Sequence, residues 1–216
     1  MERIEEMRAF FAARVDGYDD HMLTNIRGIA EGYARMADLL PDGARSLLDL
    51  GCGTGLELEP IFARFPALRV TGIDLTQEML DALRAKCAGR DLDLICGSYF
   101  DVDLGETRHD AAISFETLHH FTYREKLGLY RRVRRALRPR GVYIEADYMV
   151  DTQAEEDALF AARDRMVSES AEDAAFWHID VPMTVDNQER ALREAGFATV
   201  ERVWRCEGTV LLRAEK

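Results

Sequence analysis

The stretch Leu48-Asp49-Leu50-Gly51-Cys52-Gly53-Thr54-Gly55 decides the fold. A short apolar run, Ser46 to Leu50, ends in alternating glycines, and a helical pattern follows over about 56–64. Glycines in such a turn let a ligand approach main chain that any side chain would shield, beside the positive end of a helix dipole. The next apolar run, Arg69-Val70-Thr71-Gly72-Ile73, leads to Asp74, 19 residues after Gly55. Nucleotide-binding sheets place a carboxylate for ribose hydroxyls about 20 residues beyond their glycine turn.

Outward from this unit the pattern repeats. Apolar runs at 92–96, 111–115 and 142–146 alternate with helical patterns at 76–88 and 124–138. Strands alternating with helices imply right-handed crossovers and a parallel sheet covered on both faces. Two further runs, 198–204 and 208–214, follow a helix near 184–195 that Gly196 stops, and they stand so close that they pair as an antiparallel hairpin. Residues 2 to about 40 read as helical, with Ile4, Met7, Phe10 and Phe11 and later Ile26, Ile29, Tyr33 and Met36 at helix spacing, and Gly17 divides the stretch into two pieces. An acidic helical insertion follows Ala146 and carries Asp151, Glu155, Glu156, Asp157, Glu169, Glu172 and Asp173.

The chain has 216 residues and a formal net charge of −12. That length fills one α/β core, and the acidity disfavours sequence-independent binding to nucleic acid or docking on an anionic membrane. No apolar run reaches the roughly 18 residues of a membrane span, and no targeting segment opens the chain. Cys52, Cys87, Cys96 and Cys206 form no pair at metal-ligand spacing, so no metal site is expected and the thiols fit a reducing cytoplasm. The arginines from Arg131 to Arg140 read as the solvated face of a helix whose buried stripe is Tyr130, Val133 and Leu137.

A dinucleotide site wants a third glycine where this chain has Leu56, and Glu57 and Glu59 would repel a diphosphate. A sulfonium nucleoside carries cationic groups instead, for which Asp49 is a suitable partner. At these residues the chain resembles the class I S-adenosylmethionine-dependent methyltransferases. Leu47 to Gly55 is similar to that family's first motif, Gly72 to Leu80 to the segment after it, and Ala111 to His120 to the fourth-strand motif. Ala136-Leu137-Arg138-Pro139-Arg140-Gly141-Val142 resembles the turn before the fifth strand, with Arg140 in place of a glycine.

The resemblance implies a three-layer Rossmann-like fold with a seven-stranded, mostly parallel sheet, a C-terminal antiparallel hairpin and a helical N-terminal lid. One domain is expected over residues 1–216: a lid at 1–40, a cofactor core at 41–146, an insertion at 147–183 shaping an acceptor pocket, and a closing helix and hairpin at 184–216. S-adenosylmethionine would lie against Gly51, Cys52, Gly53 and Gly55, with Asp49 near its amino end, Asp74 on the ribose and Leu75, Met79 and Phe115 around the adenosine. Where the family often has an acid reading the adenine amino group, this chain has Ser98 and Tyr99. Tyr18, in a polar loop after Gly17, is expected to touch the ligand.

For the chemistry, the resemblance points to His119 and His120, just past the fourth strand at the ligand-binding edge of the sheet, as candidate proton acceptors. Tyr148, Trp177 and His178 are the candidates for the acceptor pocket. The expected activity is methyl transfer by in-line displacement to a small-molecule acceptor. A methyltransferase of tRNA or protein, and a cofactor-binding regulator without turnover, stay open as alternatives, as does the oligomeric state, a homodimer included.

Overall fold

The computed structural model describes residues 5–170 and 176–216; Ile4, Glu172 and Asp173 lie outside them. In chain order the elements are β1 (Glu5–Glu6), α1 (Met7–Ala12), α2 (Tyr18–Asn25), α3 (Ile29–Leu39), β2 (Ser46–Leu50), α4 (Leu58–Arg64), β3 (Arg69–Asp74), α5 (Gln77–Lys86), β4 (Asp91–Cys96), β5 (His109–Phe115), α6 (Tyr123–Ala136), β6 (Leu137–Tyr148), α7 (Gln153–Glu169), β7 (Trp177–His178), α8 (Val185–Glu194), β8 (Thr199–Cys206) and β9 (Thr209–Glu215).

Seven strands form one sheet in the order β4-β3-β2-β5-β6-β9-β8, parallel except for β9, which runs antiparallel to both its neighbours. Side-chain alternation along β2 feeds two cores. Leu48 and Leu50 pack with Leu129, Tyr130 and Leu192 on the face covered by α6 and α8, whereas Leu47 packs with Met36, Ile61 and Leu83 on the face covered by α3, α4 and α5. Helix α6 starts with a reciprocal cap in which Thr122 and Glu125 satisfy each other's main-chain N–H, and Thr152 with Glu155 does the same for α7. The strand order reverses between β2 and its neighbours, and a crevice opens at the carboxyl ends of β2 and β5.

Three differences from the sequence reading bear on the site. The N-terminal stretch holds three helices rather than two, because Gly28 (φ 77°) makes a second break, at a place where a Cβ would lie 2.5 Å from the Cys206 sulfur. Strand β1 pairs antiparallel with β7, Glu5 opposite His178 and Glu6 opposite Trp177, which ties the N-terminal segment to the insertion. Trp177 is buried with Ile179, Val181, Phe160 and Met166 in a small separate core. It therefore does not line an acceptor pocket; alternation in β7 turns His178 to the opposite side.

Candidate active site

Each glycine of the loop after β2 has positive φ, but they do different things. A Cβ on Gly51 would collide with Thr117, and one on Gly55 would stand 2.9 Å from Leu83, so both positions serve close packing. Gly53 (φ 44°) is open: its nearest neighbour would be Tyr18 at 3.9 Å. Gly53 N–H donates to Asp74 Oδ2 at 3.0 Å, while Thr76 donates to Asp74 Oδ1 through N–H (2.9 Å) and hydroxyl (3.0 Å). Burial raises the Asp74 pKa. Asp74, Leu75, Met79, Tyr99 and Phe115 line one narrow cleft with Gly51, Gly53 and Tyr18.

Ser98 is not among those lining residues; its hydroxyl accepts from Phe100 N–H at 3.1 Å and shapes the turn after β4. Tyr99 donates its hydroxyl to the Thr117 carbonyl at 3.0 Å. Cys52 borders the loop, but its buried thiol packs over Gly72.

Asp49 sits behind the loop, and Glu57 is the carboxylate that borders it. Asp49 Oδ2 and Glu57 Oε1 are buried without a donor among the described residues. Burial, and then the neighbouring Glu57, push the Asp49 pKa well above its ordinary value, and the two carboxyl groups share a hydrogen bond. Burial raises Glu57 from 4.5 to about 7 against that hydrogen bond. A carboxyl group that borders the loop with one oxygen, Glu57 Oε1, short of a donor fits the ammonium of an amino-acid moiety, and so the residues present fit S-adenosylmethionine.

A stability consequence follows from Glu57. The folded chain holds a proton there between pH 4.5 and about 7 that the unfolded chain has lost, so this contribution is present below pH 4.5 and disappears as pH rises through 7. Thermal melts of Glu57→Gln without ligand are expected to lack that part of the decline; a curve parallel to wild type across the window would contradict the shift.

The segment from α1 to α2 covers the cleft. The Thr54 hydroxyl and the Lys86 ammonium both donate to Asp19, next to Tyr18. On the far side of Tyr18 a chamber of about 760 Å³ opens, lined by Phe10, Phe11, Tyr148 and His178 and by Glu116, His119, His120 and Asp180. Phe10 and His178 stack with ring centroids 3.5 Å apart. Phe11, Tyr18, Glu116 and His120 line both chamber and cleft, and so mark the junction.

His119 Nδ1 donates to the buried Asp147 at 2.7 Å, and burial, which opposes the charge, is outweighed by Asp147, Glu116 and Asp180, lifting its pKa to about 9. Burial and the His119 charge lower His120, whose Nδ1 donates to the Ile179 carbonyl at 3.2 Å. His178 falls to about 4 through burial and the neighbouring His120. Glu116 is the residue the sequence reading passed over. It follows β5 directly at φ 49°, accepts the Thr209 hydroxyl at 2.6 Å, and burial lifts it to about 7. A non-glycine residue held left-handed at a ligand edge is a strained position.

Residues 47–141 match the family model described as methyltransferase domain. A carboxy-S-adenosyl-L-methionine synthase from Wolinella succinogenes is 30% identical over 213 residues, covering 90% of this chain and 88% of that protein. The chain belongs to the class I S-adenosylmethionine-dependent methyltransferases. It is accordingly an enzyme of that family, with S-adenosylmethionine as its cofactor. The fold is shared with the Burkholderia thailandensis 1,6-didemethyltoxoflavin-N1-methyltransferase, solved with 1,6-didemethyltoxoflavin and S-adenosylhomocysteine (TM-score 0.66, 22% identity, 96% of this chain and 87% of that one). It is shared also with an O-methyltransferase family protein from the same organism (TM-score 0.72, 19% identity, 98% of this chain), of which this methyltransferase spans 63%. Among the described residues no helix is long and apolar enough to cross a membrane.

Proposed function

We propose that this methyltransferase acts on a small-molecule acceptor held in the chamber, with transfer at the junction between chamber and cleft, in the cytoplasm. The observation that carries this reading is the shared wall of Phe11, Tyr18, Glu116 and His120 between a half-open chamber with aromatic walls and the glycine-loop cleft. Bound S-adenosylmethionine supplies an electrophilic methyl group: its bond to sulfur breaks as a bond to an acceptor oxygen or nitrogen forms, and S-adenosylhomocysteine is left. The chain's task is positioning, which can contribute roughly 7–11 kcal/mol. In this reading residues 1–40 are the lid and 147–183 shape the acceptor wall, Asp74 holds the ribose, and Glu57, backed by Asp49, holds the ammonium. Glu116, the carboxylate common to chamber and cleft, receives the proton that the acceptor loses, and Asp147 keeps His119 oriented beside it.

Two of the similar proteins are named for small molecules, which supports the reading. The test is transfer of radiolabelled methyl from S-adenosylmethionine into a cell extract. Label is expected in the low-molecular-weight fraction; label in RNA or protein would overturn the acceptor class, and S-adenosylhomocysteine binding without transfer would indicate a regulator. A second reading, that the product is a modified form of the cofactor, is favoured by the coverage of the Wolinella relative. Mass spectrometry of the nucleosides decides it, by a new nucleoside in place of S-adenosylhomocysteine.

A further inference from the structure

Three carboxylates and two imidazoles gather at one side of the chamber wall. Around His119 stand Asp147 at 2.7 Å, Asp180 at 3.5 Å and Glu116 at 3.6 Å. Behind them Lys126 lies 3.6 Å from Asp147 Oδ2. Asp180 is half-exposed and faces the chamber, and its Oδ1 lies 3.5 Å from His119 Nε2 and 3.3 Å from His120 Nδ1. One ligand atom from each of His119, His120 and Asp180 falls within 4.8 Å of the other two. Ligands bound to an ion at 2.0–2.2 Å in tetrahedral directions stand roughly 3.3–3.6 Å apart, the separation between Asp180 Oδ1 and His119 Nε2; His120, whose Nδ1 is committed to the Ile179 carbonyl, would ligate through its other ring nitrogen.

We infer that His119, His120 and Asp180 form a binding site for a divalent first-row transition-metal ion at the wall of the chamber. The support around the three is what such a site requires. His119 gives its second ring nitrogen to the buried Asp147, the carboxylate–histidine arrangement that fixes a metal-ligating imidazole. The Val181 N–H donates to the His119 carbonyl at 2.8 Å, fastening the segment that carries Asp180 to the segment that carries the histidines. Two imidazoles and one carboxylate suit zinc, iron, cobalt or manganese better than magnesium. The ion's remaining positions face the chamber, beside Tyr148 and Glu116. Resting on the small-molecule reading above, this assigns the acceptor to the class that offers the ion an oxygen or nitrogen donor, with the proton of that donor passing to Glu116.

The probe is cobalt(II) itself, added to untagged, chelator-stripped full-length protein. One equivalent is expected to bind with visible ligand-field absorption, to be displaced by one equivalent of zinc, and to be indifferent to magnesium. Asp180→Ala, a change at a half-exposed side chain, should weaken cobalt binding about tenfold or more, and Asp147→Asn about 10–100-fold. Absence of a saturable one-to-one spectrum in the wild type, or a spectrum undiminished in Asp180→Ala, would overturn the site and leave an ion-paired cluster. Calorimetry with S-adenosylhomocysteine on the stripped protein reads the cofactor site separately, so failure of the metal inference is distinguishable from failure of the methyltransferase reading.

Discussion

In Gly53→Val, binding of S-adenosylhomocysteine is expected to fall by about two orders of magnitude or more, roughly 2.8 kcal/mol. Gly53 is the one loop glycine whose missing side chain leaves open space rather than a packed neighbour. A valine there projects into the cleft and must also hold φ near 44°, a strain of about 1–3 kcal/mol. Gly53→Ala separates the two effects, because it carries the strain with less volume and should keep more of the affinity. Calorimetry with circular dichroism reads both quantities. Normal binding by a folded Gly53→Val protein would show that the loop serves only the packing of the sheet.

Glu116→Gln is expected to lower kcat about 10²–10⁴-fold with the acceptor recovered from the labelling experiment, while cofactor affinity stays within a few-fold. The amide still offers Thr209 an acceptor, so the bond that now runs from the Thr209 hydroxyl to Oε1 can persist and the left-handed turn at the end of β5 keeps its anchor. Thr209→Val is the companion variant: it removes the anchor and leaves the carboxylate. If Glu116 only stabilises the turn, the two variants lower the melting temperature together and kcat hardly moves in Glu116→Gln. If it receives the proton, Glu116→Gln loses turnover at an unchanged melting temperature.

The parallel strands were legible because each is a short apolar run between glycine or turn residues. β2 occupies Ser46–Leu50 as read, and the hairpin of β8 and β9 is where the spacing puts it. Elements held by distant partners were not. β1 and β7 have two residues each, no period to detect, and become strands only because they meet. The break at Gly28 depends on contact with Cys206, far along the chain. Gly51, Gly53, Asp74 and Met79 line one cleft and His178 the adjoining chamber, a grouping that the strand–turn–helix pattern implies for the first four. Trp177 lines neither, and with two residues of strand nothing in the sequence says which neighbour faces inward. Glu116 lay inside a quoted motif, but its backbone angle and its place at the junction exist only in the folded chain. Glu57 was read as a charge that repels phosphate, whereas its use as the acid bordering the loop depends on Asp49 lying beneath it.

The pairing of β1 with β7 joins the walls of the two compartments. The segment that carries Phe11 and Tyr18 over the glycine-loop cleft is joined to the strand that presents His178 to the chamber, through the pairing and through the stack of Phe10 on His178. On the proposed function, access of the nucleoside to the cleft and of the acceptor to the chamber would then be linked rather than independent. If the insertion sets the choice of acceptor, substitutions there are expected to change the off-rate of the nucleoside as well, because both walls meet at the same two-residue seam.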